Sequence, residues 1–125
     1  EWYGRVWLNP PFSAEQLINP IRFWVQKLLA EYRQGDVPQA VLLVTAGTER
    51  IWFQPLWEHP ICFFNHQAVY LNVGTHKRHG DCIVYLGPNE DKFIEHFSAF
   101  GRIAKAIDTP PVRPQMSRLW EGHGD

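Results

Sequence analysis

Ala40-Val41-Leu42-Leu43-Val44 constrains this chain more than any other stretch. Five apolar residues in a row, with no polar alternation, describe a strand covered on both faces, as in a parallel sheet. Parallel pairing needs a crossover, and the preceding residues supply one. Ile21, Trp24, Val25, Leu28, Leu29 and Tyr32 recur at helical spacing on one face. Pro20 stands where a first helical turn tolerates proline, and Gly35 closes the pattern. Ahead of that helix, Arg5-Val6-Trp7-Leu8 reads as a short strand. Strand, helix and strand in this order form a βαβ unit, with a right-handed crossover expected.

The remaining residues extend the unit. Thr48–Trp57 is expected to form a second helix carrying Trp52, Phe53, Leu56 and Trp57, and Pro60 separates it from a strand at Ile61–Phe64. Val69–Val73 alternates partly and could pair with that strand. Ile83–Leu86 is another buried strand, closed by Gly87-Pro88. Asn89 or Asp91 caps a helix with Phe93, Ile94, Phe97 and Phe100 on one face, ended by Gly101; Arg102–Ile107 is expected as a last antiparallel edge strand. Pro110, Pro111 and Pro114 then mark an extended or disordered tail. The expected organisation is one domain over 1–107 and a tail over 108–125.

Composition narrows the function classes. Lys and Arg number 12 against 13 Asp and Glu, so nucleic-acid binding must rest on local basic clusters rather than on net charge. The densest is His76-Lys77-Arg78-His79, in a polar loop between strands, where phosphate contact and simple solvation both remain open. Cys62 and Cys82 each sit in an apolar run, which favours reduced, buried thiols and a cytoplasmic setting. No Cys or His spacing suits zinc, and Ser13 and Ser98 lack the Gly-x-Ser-x-Gly elbow of a hydrolase. No apolar run approaches the ~20 residues of a membrane helix, so no membrane partner is expected.

Asn9-Pro10-Pro11-Phe12, at the end of the first strand, carries the chemistry. An Asn side-chain oxygen and the carbonyl of the following Pro can accept two hydrogen bonds from one planar amino group. The prolines fix φ and restrict the residues before them, which aims both acceptors. The Phe12 ring offers a face on which an extruded base can stack. An amine held this way loses delocalisation into its ring and becomes nucleophilic. Asn-Pro is also ordinary turn chemistry, and from four residues alone both readings stand.

Together with the blocks that follow, the motif resembles a known family. Gly4 to Ser13, the Ala40–Thr45 strand, Trp52-Phe53, Ile61-Cys62-Phe63, Ile83 to Gly87 and Phe93-x3-Phe97-x2-Phe100-Gly101 are similar, in that order, to blocks of the phage-type DNA N-6-adenine methyltransferases. The resemblance covers most of residues 2–105. It implies a Rossmann-like class I fold using S-adenosylmethionine, double-stranded DNA as partner, and a bacterial or phage-encoded cytoplasmic enzyme. It also assigns Asn9 and the Pro10 carbonyl to the target amine, with Pro11 shaping the loop and Phe12 stacking on the base. Many relatives have Tyr at the Phe12 position, and stacking needs only the ring.

In that family a strand and turn for the methionine part of the cofactor, and an acidic residue for its ribose, lie ahead of the Asn-Pro-Pro block. The nine glycines here form no Gly-x-Gly-x-x-Gly, and no strand precedes Val6. The chain thus resembles the C-terminal half of an enzyme, without the N-terminal cofactor-binding strands, and no cofactor-binding residue is identified. It opens on Glu1, which reads as a segment of a longer or processed protein. Two expectations follow for residues 1–125 alone: no methyl transfer and at most weak cofactor binding, and either self-association through an unpaired sheet edge or marginal stability. The alternatives are amino methylation of RNA or a protein glutamine, and a non-catalytic module that binds DNA or a partner chain.

Overall fold

Strand β1 (Arg5–Leu8) is followed by helix α1 (Ile21–Gln34) and strand β2 (Gln39–Thr45), the expected strand-helix-strand order. A 3-10 helix (Ile51–Glu58) leads to β3 (Ile61–Phe64); then come β4 (Asp81–Leu86), helix α2 (Glu90–Phe97) and β5 (Gly101–Ala104). These elements belong to a computed structural model that describes residues 1–10, 20–66 and 80–108. The tail beyond 108, the Ser13–Gln16 stretch, whose Ser-x-x-Gln form is expected from sequence to cap a helical turn, and the Val69–Val73 run lie outside the described residues.

The described residues form a mixed α/β protein with one open five-stranded sheet, ordered β1-β2-β4-β3-β5. β1 and β2 are parallel, with Leu8 beside Leu42. The expectation of a mostly parallel sheet is corrected beyond that pair. β4 runs antiparallel to β2, and β3 pairs antiparallel with both β4 and β5. Uninterrupted apolar runs report burial on two faces, not strand direction, so Ala40–Val44 could not distinguish the two pairings. The β3 strand has neighbours on both sides, β4 and β5.

Burial follows the strand period of two. Ala40, Leu42 and Val44 of β2 point to the face covered by α1 and the 3-10 helix, where Val25, Leu28, Phe53, Leu56 and Val84 complete the larger core. Leu43, Cys62, Ile83 and Tyr85 point to the other face, where Phe93 of α2 seals a smaller core. Pro20 occupies the N-cap of α1, and Gly35 ends the helix at φ 92°, donating its N–H to the Tyr32 carbonyl. That left-handed geometry is where a glycine costs least.

Several boundaries depart from expectation, among them β4, which begins at Asp81 rather than Ile83, and β5, which spans Gly101–Ala104 rather than Arg102–Ile107. The second helix begins at Ile51 rather than Thr48 and winds as a 3-10 helix, with Pro55 inside it. Proline lacks the N–H that an α-helix interior needs. The α2 helix ends at Phe97, not at Gly101, and Phe100 is exposed. Gly101 instead opens β5, where a Cβ would lie 1.9 Å from the Phe63 carbonyl oxygen. No helix among the described residues is long and apolar enough to cross a membrane.

Candidate active site

The register brings several strand ends to one edge of the molecule. Leu8 lies beside Leu42, Thr45 beside Asp81, Cys82 beside Phe63, and Phe64 beside Gly101. The exits of β1, β2 and β3 and the entries of β4 and β5 therefore share one end. Ligands of open α/β sheets bind at the carboxyl ends of parallel strands.

Asn9 and Pro10 leave β1 at this end. The Asn9 side chain is exposed, whereas Pro10 is fully buried. A buried proline anchors the backbone in the core and leaves the neighbouring amide facing solvent, the arrangement an acceptor for an incoming amine requires. Pro11 and Phe12 lie outside the described residues, as do His76, Lys77, Arg78 and His79. The chain leaves the described region at His66 and re-enters at Gly80, both at the Asn9 end.

The exit of β2 is braced beside it. Ala46 donates its N–H to the Gly80 carbonyl at 2.9 Å, and the Thr45 hydroxyl donates to the same oxygen at 3.3 Å. Gly47 and Thr48 close tight turns by donating to Thr45 and Ala46, and Arg50 donates to Gly47, each at 2.9 Å. The Gln54 amide then donates to the carbonyls of Thr48 (2.8 Å) and Arg50 (2.9 Å). Gly47 sits against the Trp52 ring, where a Cβ would lie 3.0 Å from Cζ2. These bonds make the segment a fixed wall rather than a loose loop.

Two features of this end were not singled out from sequence. Asp81, 5% exposed, is the buried charged residue among those described. Its signal was weak: one acid flush against the apolar run Cys82–Leu86, which reads as the last residue of a polar loop. Burial, reinforced by the Asp81 carboxylate and by Cys62, pushes the Cys82 thiol up to about 12. Burial raises Cys62 as well. Both cysteines are free and buried, as expected, and neither offers a thiolate nucleophile. The second feature is the exit of β3, where Asn65 Oδ1 and His66 Nδ1 lie 2.8 Å apart and the His66 ring stacks on Phe64.

Glycines with positive φ could build a cofactor turn, but Gly4, Gly35 and Gly87 all lie at the opposite end of the sheet. Among the described residues, nothing at the Asn9 end fits the turn that the resemblance implies for the methionine moiety. No group of three or more His, Cys, Asp or Glu side chains is placed to hold a metal ion among them either. No family model, curated protein or solved structure matches the chain.

Proposed function

We propose that residues 1–125 carry the target-amine site of a DNA adenine methyltransferase. One observation carries the reading: an exposed Asn9, followed by a fully buried Pro10, at the carboxyl end of the parallel pair β1 and β2. The sequence supplies the rest of the motif in Pro11 and Phe12.

In this reading the adenine leaves the duplex and its amino group donates to Asn9 Oδ1 and to the Pro10 carbonyl. Both acceptors draw the nitrogen lone pair out of conjugation. S-adenosylmethionine, the donor that the resemblance implies, would supply the methyl group when bound and would leave as S-adenosylhomocysteine. Asn9 Oδ1 and the Pro10 carbonyl hold and orient the amine, and water takes up the proton that it loses, so the chain's contribution is position and orientation. The braced β2 exit lies at the same end of the sheet as Asn9. The described residues do not build the cofactor cradle, so catalysis is assigned to the full-length gene product that carries this chain.

The acceptors select an amine, and the macromolecule presenting it follows from the resemblance. A competition assay separates the candidates. The gene product is incubated with tritiated S-adenosylmethionine and equal amounts of duplex DNA, RNA and a glutamine-containing protein. Label recovered as N6-methyladenine in DNA is the expected result. Label confined to RNA or protein would transfer the same site to another substrate.

A further inference from the structure

The turn after β2 is clamped from the side. The Gln54 amide nitrogen donates to two of its carbonyls, Thr48 at 2.8 Å and Arg50 at 2.9 Å. Gln54 belongs to the 3-10 helix, whose Trp52, Phe53 and Leu56 are buried, the last two completely. The side chain therefore ties the turn to an element that the core already fixes. Within the turn, Gly47, Thr48 and Arg50 each donate to a carbonyl two or three residues back. Such short-range bonds close a turn on itself without setting its place on the protein. Its place is set at one side by the Gly80 carbonyl, which accepts from the Ala46 N–H and the Thr45 hydroxyl, and at the other by Gln54. A Cβ on Gly47 would lie 3.0 Å from the Trp52 ring, so the turn also lies flat against a buried side chain. Ordering a long, flexible glutamine costs entropy, and two neutral hydrogen bonds return only modest net stability. A clamp of this kind matters most where position counts for more than stability.

The neighbouring strand shows what is positioned. β1 and β2 are parallel and step one for one, with Leu8 beside Leu42. The same step carried past Leu8 sets Asn9 level with Leu43 and Pro10 level with Val44, one residue short of Thr45. The two chains thus leave the sheet side by side, and loops at the carboxyl ends of adjacent parallel strands share a ligand. We propose that Gln54 is a positioning residue for the base being methylated: it holds the turn over residues 46–50 as the wall of the site on the β2 side of Asn9. The inference rests on the assignment of the target amine to Asn9. The turn donates nothing to the reacting atoms; it limits the angle at which the base presents its amine. An error of about 1 Å in such placement can cost on the order of 100-fold in rate.

Steady-state methylation of DNA by the full-length gene product tests the role. Gln54→Ala should lower kcat at least about tenfold and leave S-adenosylmethionine affinity unchanged, with circular dichroism as in wild type. Gln54→Glu keeps the shape of the side chain but, ionised at neutral pH, has no donor, so its kcat should fall as far. Gly47→Ala shifts the turn against Trp52 with both Gln54 donors in place, and it should lower kcat as well. Amide exchange at Thr48 and Arg50 should quicken in the two Gln54 variants. Should Gln54→Ala fail to fold, Gln54→Glu and Gly47→Ala decide the matter by the same measurements.

A kcat within about twofold of wild type in the folded Gln54 variants would overturn the proposal, whether or not exchange quickens. A wild-type kcat in Gln54→Glu beside a slow Gln54→Ala would overturn it equally, because shape and not hydrogen bonding would then hold the turn. Asn9→Ala, assayed alongside, separates the two claims. An inactive Asn9→Ala with unimpaired Gln54 variants overturns the positioning role alone; a near-wild-type Asn9→Ala overturns both.

Discussion

His59 shows how one residue can tie stability to pH. It caps the 3-10 helix, with its ring edge-on to Tyr32 at 5.9 Å. Burial holds its pKa below the usual 6.5; Lys105 and Arg33 act in the same direction, and Glu58 and Glu90 oppose them. The unfolded chain therefore takes up this proton before the folded chain does. Stability is undiminished while both states are neutral, above 6.5, and falls as pH drops below it. The urea midpoint should decline as pH falls through and below 6.5, and His59→Gln should flatten that part of the profile. An unchanged slope in the variant would assign the decline to other groups. The same physics makes Cys82 inert: with its thiol pushed up to about 12, it carries almost no thiolate near neutral pH.

Elements depend on a few close approaches. At Gly101 a Cβ would meet the Phe63 carbonyl oxygen at 1.9 Å, with the Phe64 Cα at 2.9 Å. Neither atom is a flexible side-chain end, so Gly101→Ala must push β5 away from β3. A loss of about 1–3 kcal/mol in urea unfolding is expected, with faster amide exchange at Arg102 than at β4 positions. A wild-type midpoint would show that the β3–β5 approach is looser than described. Gly101 also marks the limit of what the sequence made legible. Phe93, Phe97, Phe100 and Gly101 looked like one helix with its terminator. The helix ends earlier: Phe93 is buried and Phe97 packs against the same core, whereas Phe100 is exposed past the point where the chain turns back. Patterns that concern one element alone were legible: α1 with Pro20 and Gly35 at its ends, β3 to the residue, and the buried runs of β2 and β4. Strand direction was not, because a strand buried on both faces carries the same residues in either sense. In the candidate site, Asn9 and Pro10 were legible from motif chemistry. Asp81 and the Gln54 brace were not, since their roles depend on register and on which carbonyls a turn presents.

At the scale of the whole molecule, the candidate site and a structural tie lie at opposite ends of the sheet. One end gathers the Asn9 exit, the braced β2 turn and buried Asp81. The other is a structural tie. The Tyr85 hydroxyl donates to Gln39 Oε1 at 3.1 Å and accepts the Asn89 N–H at 2.9 Å, which fixes the start of α2 to the start of β2. Gly87 fits beneath that hydroxyl, where a Cβ would lie 2.6 Å away. Scaffold and candidate chemistry are thus separable, and a change at Asn9 should leave folding intact because its side chain is exposed. The central claim is that Asn9 holds the amine being methylated. It is tested most directly by methyl transfer to DNA adenine in the full-length gene product and its Asn9→Ala variant, with S-adenosylmethionine affinity measured on both. Loss of an oriented hydrogen bond in a transition state costs roughly 100- to 1000-fold in rate. The account predicts a rate reduced by about that factor with cofactor affinity nearly unchanged; a near-wild-type rate in Asn9→Ala would contradict it.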